Sequence, residues 1–169
     1  MKKNVLTTLL LLAAFSLAAH AQKFALIDME YILKNIPAYE QANQQLEQAS
    51  KQCQAEIEKA GEEAKSLYEN YQATAKNLSD AQRTQKENEI VEKEKALAEL
   101  RRQYFGPEGE LYKKREALIG PIQDQIYNAV KEIATQQGYA VVTDRASASS
   151  IIFASPSIDI SNEVLARLG

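Results

Sequence analysis

The stretch from residue 38 to residue 104 constrains this chain more than any other, because it is a long helix-forming segment with a narrow apolar stripe. It contains no proline and one glycine, Gly61, and it is dominated by Ala, Glu, Gln, Lys and Leu, which have the highest helix propensities. In its first half, apolar or small residues recur at steps of three and four that average about 3.5, the period of a coiled-coil seam. These positions are Tyr39, Ala42, Leu46, Ala49, Cys53, Ile57, Ala60, Ala64, Leu67, Tyr71, Ala75 and Leu78.

A second helix is predicted to begin just after this first seam ends. Ser79, followed three residues later by Gln82, has the pattern of a capping box. Apolar residues then recur at every seventh position, which are Ile90, Leu97, Tyr104, Leu111 and Leu118. This spacing indicates a second seam, on a helix that returns from a tip near residues 77–82.

Folding the chain back at this tip brings the two seams into register. When the numbers of facing residues sum to about 157, Leu67 faces Ile90 and Tyr39 faces Leu118. We therefore predict an antiparallel helical hairpin about 60 Å long, from about forty residues per helix at 1.5 Å each. A compact helical bundle stays open as an alternative, although the stripe is narrow for burial against two neighbours. The predicted seam includes Leu46, Ile57, Leu67, Ile90, Leu97, Leu100 and Leu111.

Residues 1–21 have the features of a secretory signal peptide. Lys2 and Lys3 precede an apolar run over residues 5–18, and Ala19-His20-Ala21 matches an A-x-A cleavage site. A retained membrane anchor is disfavoured, since the run is shorter than the roughly 20 residues that a span needs. We expect cleavage after Ala21, export across the inner membrane and a mature protein in the periplasm.

Composition excludes several classes of function for such a mature chain. Loss of Lys2 and Lys3 lowers the basic residues from 20 to 18 against 23 acidic ones, a net charge of −5, which argues against a nucleic-acid-binding protein. The single histidine, His20, leaves with the signal, so no imidazole remains for general-base catalysis or zinc binding. We expect neither an enzyme nor a cofactor. We interpret Cys53 as a small buried apolar residue, and a redox thiol or an interchain disulfide bridge remain the alternatives.

The two ends of the chain are predicted to form a separate small body, residues 22–37 plus 121–169, while residues 38–120 form the hairpin. The predicted strands are 23–28, 139–144 and 151–154, and a helical turn is predicted at 29–33. The predicted helices are 122–136 and 162–168, the last with Ser161 as its N-cap. A body of about 60 to 65 residues is marginally stable alone. Its three strands would also leave unpaired edges. Assembly of several copies would satisfy both needs.

Glycine and proline predict two interruptions of the return helix. Pro107 lies in the run Phe105–Gly109, and a proline in a helix interior costs about 3 kcal/mol, so we expect a kink or a looped-out turn there. Gly120-Pro121 predicts a second break, opposite Ile36-Pro37, which would mark the base of the hairpin. Gly138 is expected to end the following helix.

The order of five short motifs is more specific than the long helices. These motifs are Phe24-Ala25-Leu26-Ile27-Asp28, Asn35-Ile36-Pro37-Ala38-Tyr39, the Leu78-Ser79 tip, Gly138-Tyr139-Ala140-Val141-Val142-Thr143-Asp144, and Ala154-Ser155-Pro156 leading to Ile158-Asp159-Ile160-Ser161. Together, over the whole predicted mature chain, they resemble the Skp/OmpH family of periplasmic chaperones.

That resemblance implies an α+β, mostly helical fold in which a long antiparallel coiled-coil hairpin, the tentacle, stands on a small β-strand trimerisation body. It also implies a homotrimer whose tentacles surround a cavity, and this cavity holds unfolded outer-membrane proteins without ATP. The trimer core would then contain Phe24, Leu26, Val141, Val142, Ile151 and Phe153.

This chain departs from the best-known members of the family in being acidic rather than strongly basic. We therefore carry over no lipid-binding site, and contact with a membrane surface stays open. Candidate contacts with clients or at the tip are Tyr68, Lys76, Arg83 and Lys86, although a merely solvated tip would show the same residues. A structural adaptor or spacer of the cell envelope, whose hairpin docks one defined partner, is the alternative function.

Overall fold

The computed structural model describes residues 22–148 and 150–169, and the predicted signal peptide lies outside them. The described elements are β1 (Lys23–Ile27), α1 (Met29–Lys34), α2 (Pro37–Thr74), a 3₁₀ turn (Ala75–Asn77), α3 (Asp80–Phe105), α4 (Glu110–Gln137), β2 (Tyr139–Asp144), a second 3₁₀ turn (Pro156–Ile158) and α5 (Ser161–Leu168). The predicted fold class is confirmed: the chain is mostly helical, with a long hairpin and a small sheet. None of the described helices is both long and apolar enough to cross a membrane.

The chain divides into two compact units. One comprises residues 36–125, which we call the arm, and the other comprises residues 22–35 and 126–169, which we call the body. The boundary between residues 125 and 126 falls inside α4.

The arm begins and turns where local sequence signals predict. Helix α2 starts at Pro37, since a proline at the first helical position has no N–H that needs a partner. At the tip, Ser79 caps α3: its Oγ accepts a hydrogen bond from the Gln82 N–H at 3.4 Å, and its own N–H donates to Gln82 Oε1 at 3.0 Å. The predicted capping box is therefore confirmed.

Helices α2 and α3 pack as an antiparallel pair close to the predicted register. Lys93 Nζ lies 3.4 Å from Glu63 Oε2, and the Tyr71 hydroxyl donates to the Glu87 carboxylate. The residue numbers of these pairs sum to 156 and 158, one less and one more than the predicted sum of about 157. Ala64 of α2 and Ile90 of α3 are both buried, as are Ala42 and Ala49 nearer the start of α2.

The predicted interruption at residues 105–109 is confirmed. Helix α3 ends at Phe105, and the Gly106 N–H donates to the Arg102 carbonyl at 2.8 Å. Gly109 is buried, and a Cβ there would lie 2.7 Å from the Tyr104 carbonyl oxygen and 2.8 Å from that of Gln103. Glycine is therefore required for the turn to close before α4 begins.

The predicted break at Gly120-Pro121 is wrong, because α4 runs without interruption from Glu110 to Gln137 with Pro121 inside it. Proline removes one helical hydrogen bond at a cost of about 3 kcal/mol. Ile119 and Ile122, which flank this position, are both buried, and full burial of such a side chain contributes about 1.5–3 kcal/mol. Burial on both sides of the proline therefore offsets its penalty.

The body is built on two parallel strands. Phe24 pairs with Val141, and Ile27 pairs with Asp144. Helices α1, α4 and α5 supply the largest fully buried side chains, which are Ile32, Ile126, Ile133 and Val164. Gly138, at φ +72°, ends α4 as predicted and leads directly into β2.

The predicted third strand, residues 151–154, is irregular in this chain. A strand needs a neighbour for its backbone hydrogen bonds, and the place beside β1 is taken: the Ile160 N–H donates to the Leu26 carbonyl at 2.9 Å. Asp159 makes the accompanying parallel bridge to Leu26. Residues 151–154 are thus left without a ladder partner among the described residues.

The predicted N-cap role of Ser161 is also wrong. Helix α5 begins at Ser161 itself, and no side chain caps it. The Ser161 Oγ instead accepts a hydrogen bond from the Asp28 N–H at 2.8 Å and donates to Asp159 Oδ1 at 2.6 Å. A contact between distant parts of the chain has replaced the local cap.

Candidate functional site

The apolar residues assigned by resemblance to a trimer core fall into three groups by exposure. Leu26 is only 7% exposed and lies in the core of its own body. Val142 and Ile151 are half-buried. Phe24 and Val141 are exposed, and Phe153 is 85% exposed.

These exposed residues lie in two parts of the body, which together we call the apolar body surface. Phe24 and Val141 are paired in the parallel sheet, so their side chains share one face of it. The second part is the irregular segment 151–154, where Ile152 is fully exposed at 101%. Ile152 was missed by the sequence reasoning, although it stands between two predicted core residues. Exposed apolar patches of this kind mark interaction sites.

A polar network on the body was not foreseen from the sequence. Arg145 places Nε 3.1 Å from Asp28 Oδ2 and Nη1 3.2 Å from Asp159 Oδ2. Ser161 connects the segments that carry these two carboxylates, because its Oγ accepts a hydrogen bond from the Asp28 N–H and donates one to Asp159 Oδ1. Together with Tyr31 and Asn162, these side chains line a small cavity of about 290 Å³. The network fastens the ends of β1 and β2 to the start of α5.

Two aspartates of this part of the body have lowered pKa values. For Asp159, burial raises the pKa, but hydrogen bonds from the Ser161 hydroxyl and N–H and the charge of Arg145 outweigh burial and lower it. For Asp144, burial again raises the pKa, and hydrogen bonds from Met29, Ser147 and Ala146 lower it below its ordinary value. Both carboxylates are satisfied by their own chain, which indicates a structural role.

All seven predicted seam residues of the hairpin are buried or half-buried. Ile90 is buried, and the others are half-buried; these are Leu46, Ile57, Leu67, Leu97, Leu100 and Leu111. On α3, most residues between these positions are exposed. The apolar contact between the helices is therefore a narrow strip, and much of the arm faces solvent.

Two tyrosines add polar links across this strip. Tyr71 donates its hydroxyl hydrogen bond to Glu87, and Tyr104 donates to Glu56. The hydrogen bond to Glu56, with smaller effects of burial and neighbouring charges, raises the pKa of Tyr104 to about 12. The hydrogen bond to Glu87 raises the pKa of Tyr71 in the same way. Both tyrosines therefore remain protonated donors at neutral pH.

Three of the four candidate tip residues contact groups of their own chain. Tyr68 is exposed and its hydroxyl accepts from Gln72 Nε2 at 2.9 Å. Arg83 donates to the Ala75 carbonyl at 3.4 Å. Lys86 is half-buried and forms an ion pair with Glu89 at 3.1 Å, whereas Lys76 is exposed. Arg83 and Lys86 are thus engaged by groups of their own chain.

Cys53 is a free, half-buried thiol on the arm. Burial, followed by the charges of Glu110 and Glu56, raises its pKa, so it is a protonated thiol at neutral pH. No cluster of three or more potential metal ligands occurs within residues 22–148 and 150–169.

Comparisons with known proteins agree with one another. The family model described as "Outer membrane protein (OmpH-like)" matches residues 23–168. The chain is 28% identical to the chaperone protein Skp of Yersinia enterocolitica over 92% of this chain and 91% of that protein. It is 27% identical to the chaperone protein Skp of Photorhabdus laumondii, again over 92% and 91%. The crystal structure of an OmpH-like protein from Caulobacter crescentus superposes with a TM-score of 0.67 at 13% identity, over 89% of this chain and 86% of that one, which shows a shared fold.

Proposed function

Because this chain belongs to the OmpH-like outer membrane protein family, we propose that it is an ATP-independent holdase chaperone of the periplasm that binds unfolded outer-membrane proteins. In this proposal three copies assemble through their bodies, and their arms surround a cavity that receives the client. The observation that carries the proposal is the family match over residues 23–168, on a chain whose arm is a slim two-helix hairpin.

The apolar body surface supports self-assembly. Phe24 and Val141 share an exposed sheet face, and Ile152 and Phe153 leave nearly all of their surface in water. In addition, β2 pairs only with β1 in the described part of the chain, so its other edge has unpaired backbone groups. In the proposed trimer, residues 151–154 of one copy meet the body of the next, which would cover both the apolar side chains and the edge.

The composition of the arm supports weak and reversible holding. Its seam uses alanine at Ala42, Ala49 and Ala64, and each exchange of leucine for alanine forgoes much of the roughly 1.5–3 kcal/mol that a buried leucine contributes. Such an arm is thin and can bend. Several weak contacts made at once inside an enclosure would retain a client through effective concentration and release it when a folding site competes.

The proposal is tested by light-scattering mass measurement together with an aggregation assay. The protein should have the mass of a trimer, and it should suppress the aggregation of several unrelated unfolded barrel proteins at one trimer per client. A monomer at micromolar concentration would remove the cavity. A trimer that ignores every unfolded barrel, and binds one envelope protein instead, would support the adaptor function.

A further inference from the structure

Five positive side chains without ion-pair partners surround the turn that interrupts the return helix. They are Arg101, Arg102, Lys113, Lys114 and Arg115, and all five are exposed. Within residues 22–148 and 150–169, eight other basic residues form ion pairs with carboxylates, whereas none of these five does. We call this set of five the cationic joint.

The remaining unpaired cations of the described chain are scattered. They are Lys23, Lys59, Lys76, Arg83 and Lys131, and two of them donate to backbone carbonyls of Gln137 and Ala75. The concentration of free positive charge between residues 101 and 115 is therefore a local feature of an otherwise acidic protein. Two carboxylates lie in the same interval, Glu108 and Glu110, which leaves an excess of positive charge there. Glu99 and Glu116 lie just outside this interval, one before it and one after it.

Helix stability does not account for the cationic joint. Arg101 and Arg102 stand near the C-terminal end of α3, where cations are favourable, but Lys113 lies in the first turn of α4, where the helix dipole disfavours a cation. The interruption also opens the surface: a cavity of about 600 Å³ is lined by Arg102, Lys113 and residues 106–109, together with Glu99, Gln103 and Glu110. Glu110 is engaged there, since it accepts a hydrogen bond from Gln103 at 2.7 Å.

Exposed aromatic rings accompany the charges. Phe105 ends α3 beside Arg101 and Arg102, and Tyr112 precedes Lys113; both rings are about half exposed. A surface with free cations and aromatic rings complements a polymer that carries carboxylates among apolar groups.

We infer that the cationic joint binds acidic segments of unfolded polypeptide chains. A flexible chain fits better than a flat membrane, because Lys113, Lys114 and Arg115 are consecutive on a helix and therefore point around it at about 100° intervals. An extended polypeptide can follow charges that lie around an arm, whereas a planar lipid surface reaches one side of it. This inference deepens the proposed holdase function, since it names the part of a client that the arm recognises.

The test replaces all five cations by glutamine (Arg101→Gln, Arg102→Gln, Lys113→Gln, Lys114→Gln and Arg115→Gln) in the full protein. A matched control replaces five ion-paired cations away from the joint and the tip (Lys34→Gln, Lys65→Gln, Lys93→Gln, Lys95→Gln and Arg167→Gln), which changes the net charge equally. Binding of fluorescent poly-L-glutamate is measured by anisotropy at several salt concentrations. Circular dichroism verifies that both variants keep the helix content of the wild type.

The joint variant should bind poly-L-glutamate about tenfold more weakly, because it loses five exposed ion pairs with the polymer, and its affinity should depend less on salt. The control should bind like the wild type. Equal weakening of both variants would overturn the inference, since net charge rather than the joint would then govern binding. Loss of binding to phosphatidylglycerol vesicles with unchanged binding to poly-L-glutamate would overturn it in favour of a lipid.

A second measurement separates this inference from the proposed function. Aggregation of an unfolded barrel protein is followed with its carboxylates intact and after they have been converted to amides. If the wild type suppresses the aggregation of both client forms equally, it is still a holdase, but the inference that the cationic joint binds acidic segments fails. A wild type that protects neither form would end the holdase proposal, whereas the poly-L-glutamate experiment would still decide whether the joint binds acidic chains.

Discussion

The Tyr104 hydroxyl on α3 donates a hydrogen bond to the Glu56 carboxylate on α2, across the seam of the arm. This contact lies one residue before the end of α3, just ahead of the turn at residues 106–109. It therefore ties the last turn of α3 to the uninterrupted helix α2 at the point where the return helix stops.

Replacement of Tyr104 by phenylalanine should remove part of the alkaline sensitivity of the arm. The folded-state pKa of about 12 lies above the ordinary value of 10.0, so the stabilisation from this bond is complete below pH 10 and is lost as the pH rises through 12. Urea unfolding between pH 8 and pH 12 measures this loss. The Tyr104→Phe variant should be less stable than the wild type at pH 8 and should converge with it at pH 12. A constant difference over this range would contradict the assigned bond.

Two glycines of α4 and its preceding turn should respond to alanine in opposite directions. Gly109→Ala should destabilise the protein by about 1–3 kcal/mol, because the new methyl group overlaps the carbonyl oxygens of Gln103 and Tyr104. Gly120→Ala should stabilise it by about 1 kcal/mol, since this position is helical and has no atom within 4 Å of an added Cβ. Denaturant unfolding measures both changes, and stabilisation by Gly109→Ala would refute the described turn.

Replacement of Ser161 by alanine should destabilise the body. Ser161 is 3% exposed, and its hydroxyl is the partner of the Asp28 N–H. Removing it leaves a partly buried N–H unpaired, at a cost of about 1–3 kcal/mol. The control is Ser157→Ala, whose exposed hydroxyl contacts only Ser155. Denaturant unfolding should detect the first change but not the second; similar values for both would contradict the assigned role.

Acid should weaken the body through Asp159. Its folded-state pKa lies below the ordinary value of 3.8, so its stabilising contribution is present above pH 3.8 and is lost as the pH falls below that value. Asp159→Asn should therefore be less stable than the wild type at pH 7 and lose less stability on going to pH 3. The matched control is Asp124→Asn, at an exposed aspartate of α4. Unfolding curves at each pH give the comparison.

Loss of the apolar groups at residues 152 and 153 should weaken assembly rather than the fold of each copy. The double change Ile152→Ser and Phe153→Ser removes side chains that make few contacts within the chain, so circular dichroism should show an unchanged helix content. Light scattering should detect a lower mass at equal concentration. Phe105→Ser, at an exposed aromatic residue of the arm, is the matched control. An unchanged mass in the double variant would place the assembly contacts elsewhere.

Features that depend on neighbouring residues could be predicted from the sequence. The capping box of Ser79 and Gln82 and the helix stop at Gly138 are decided within one turn of backbone, and the register of the hairpin follows from two periodic seams joined by one short tip. The interruption at Pro107 belongs to the same class, because Gly106 and Gly109 allow the turn locally.

The remaining features were decided by contacts between residues far apart in the chain. Burial of Ile119 and Ile122 kept α4 intact across Pro121, and Ile160 occupied the edge of β1 that residues 151–154 were expected to join. Ser161 bonded to Asp28 instead of capping its own helix, and the five cations of the joint emerged as a set only when the ion pairs of eight other basic residues were known. Sequence by itself determined the hairpin helices of the arm, the cap at Ser79 and the helix pairing, because those depend on periodicity and backbone geometry over a few residues. Tertiary structure alone decided which edges, carboxylates and charges are satisfied, because each needs a partner whose position depends on the whole fold.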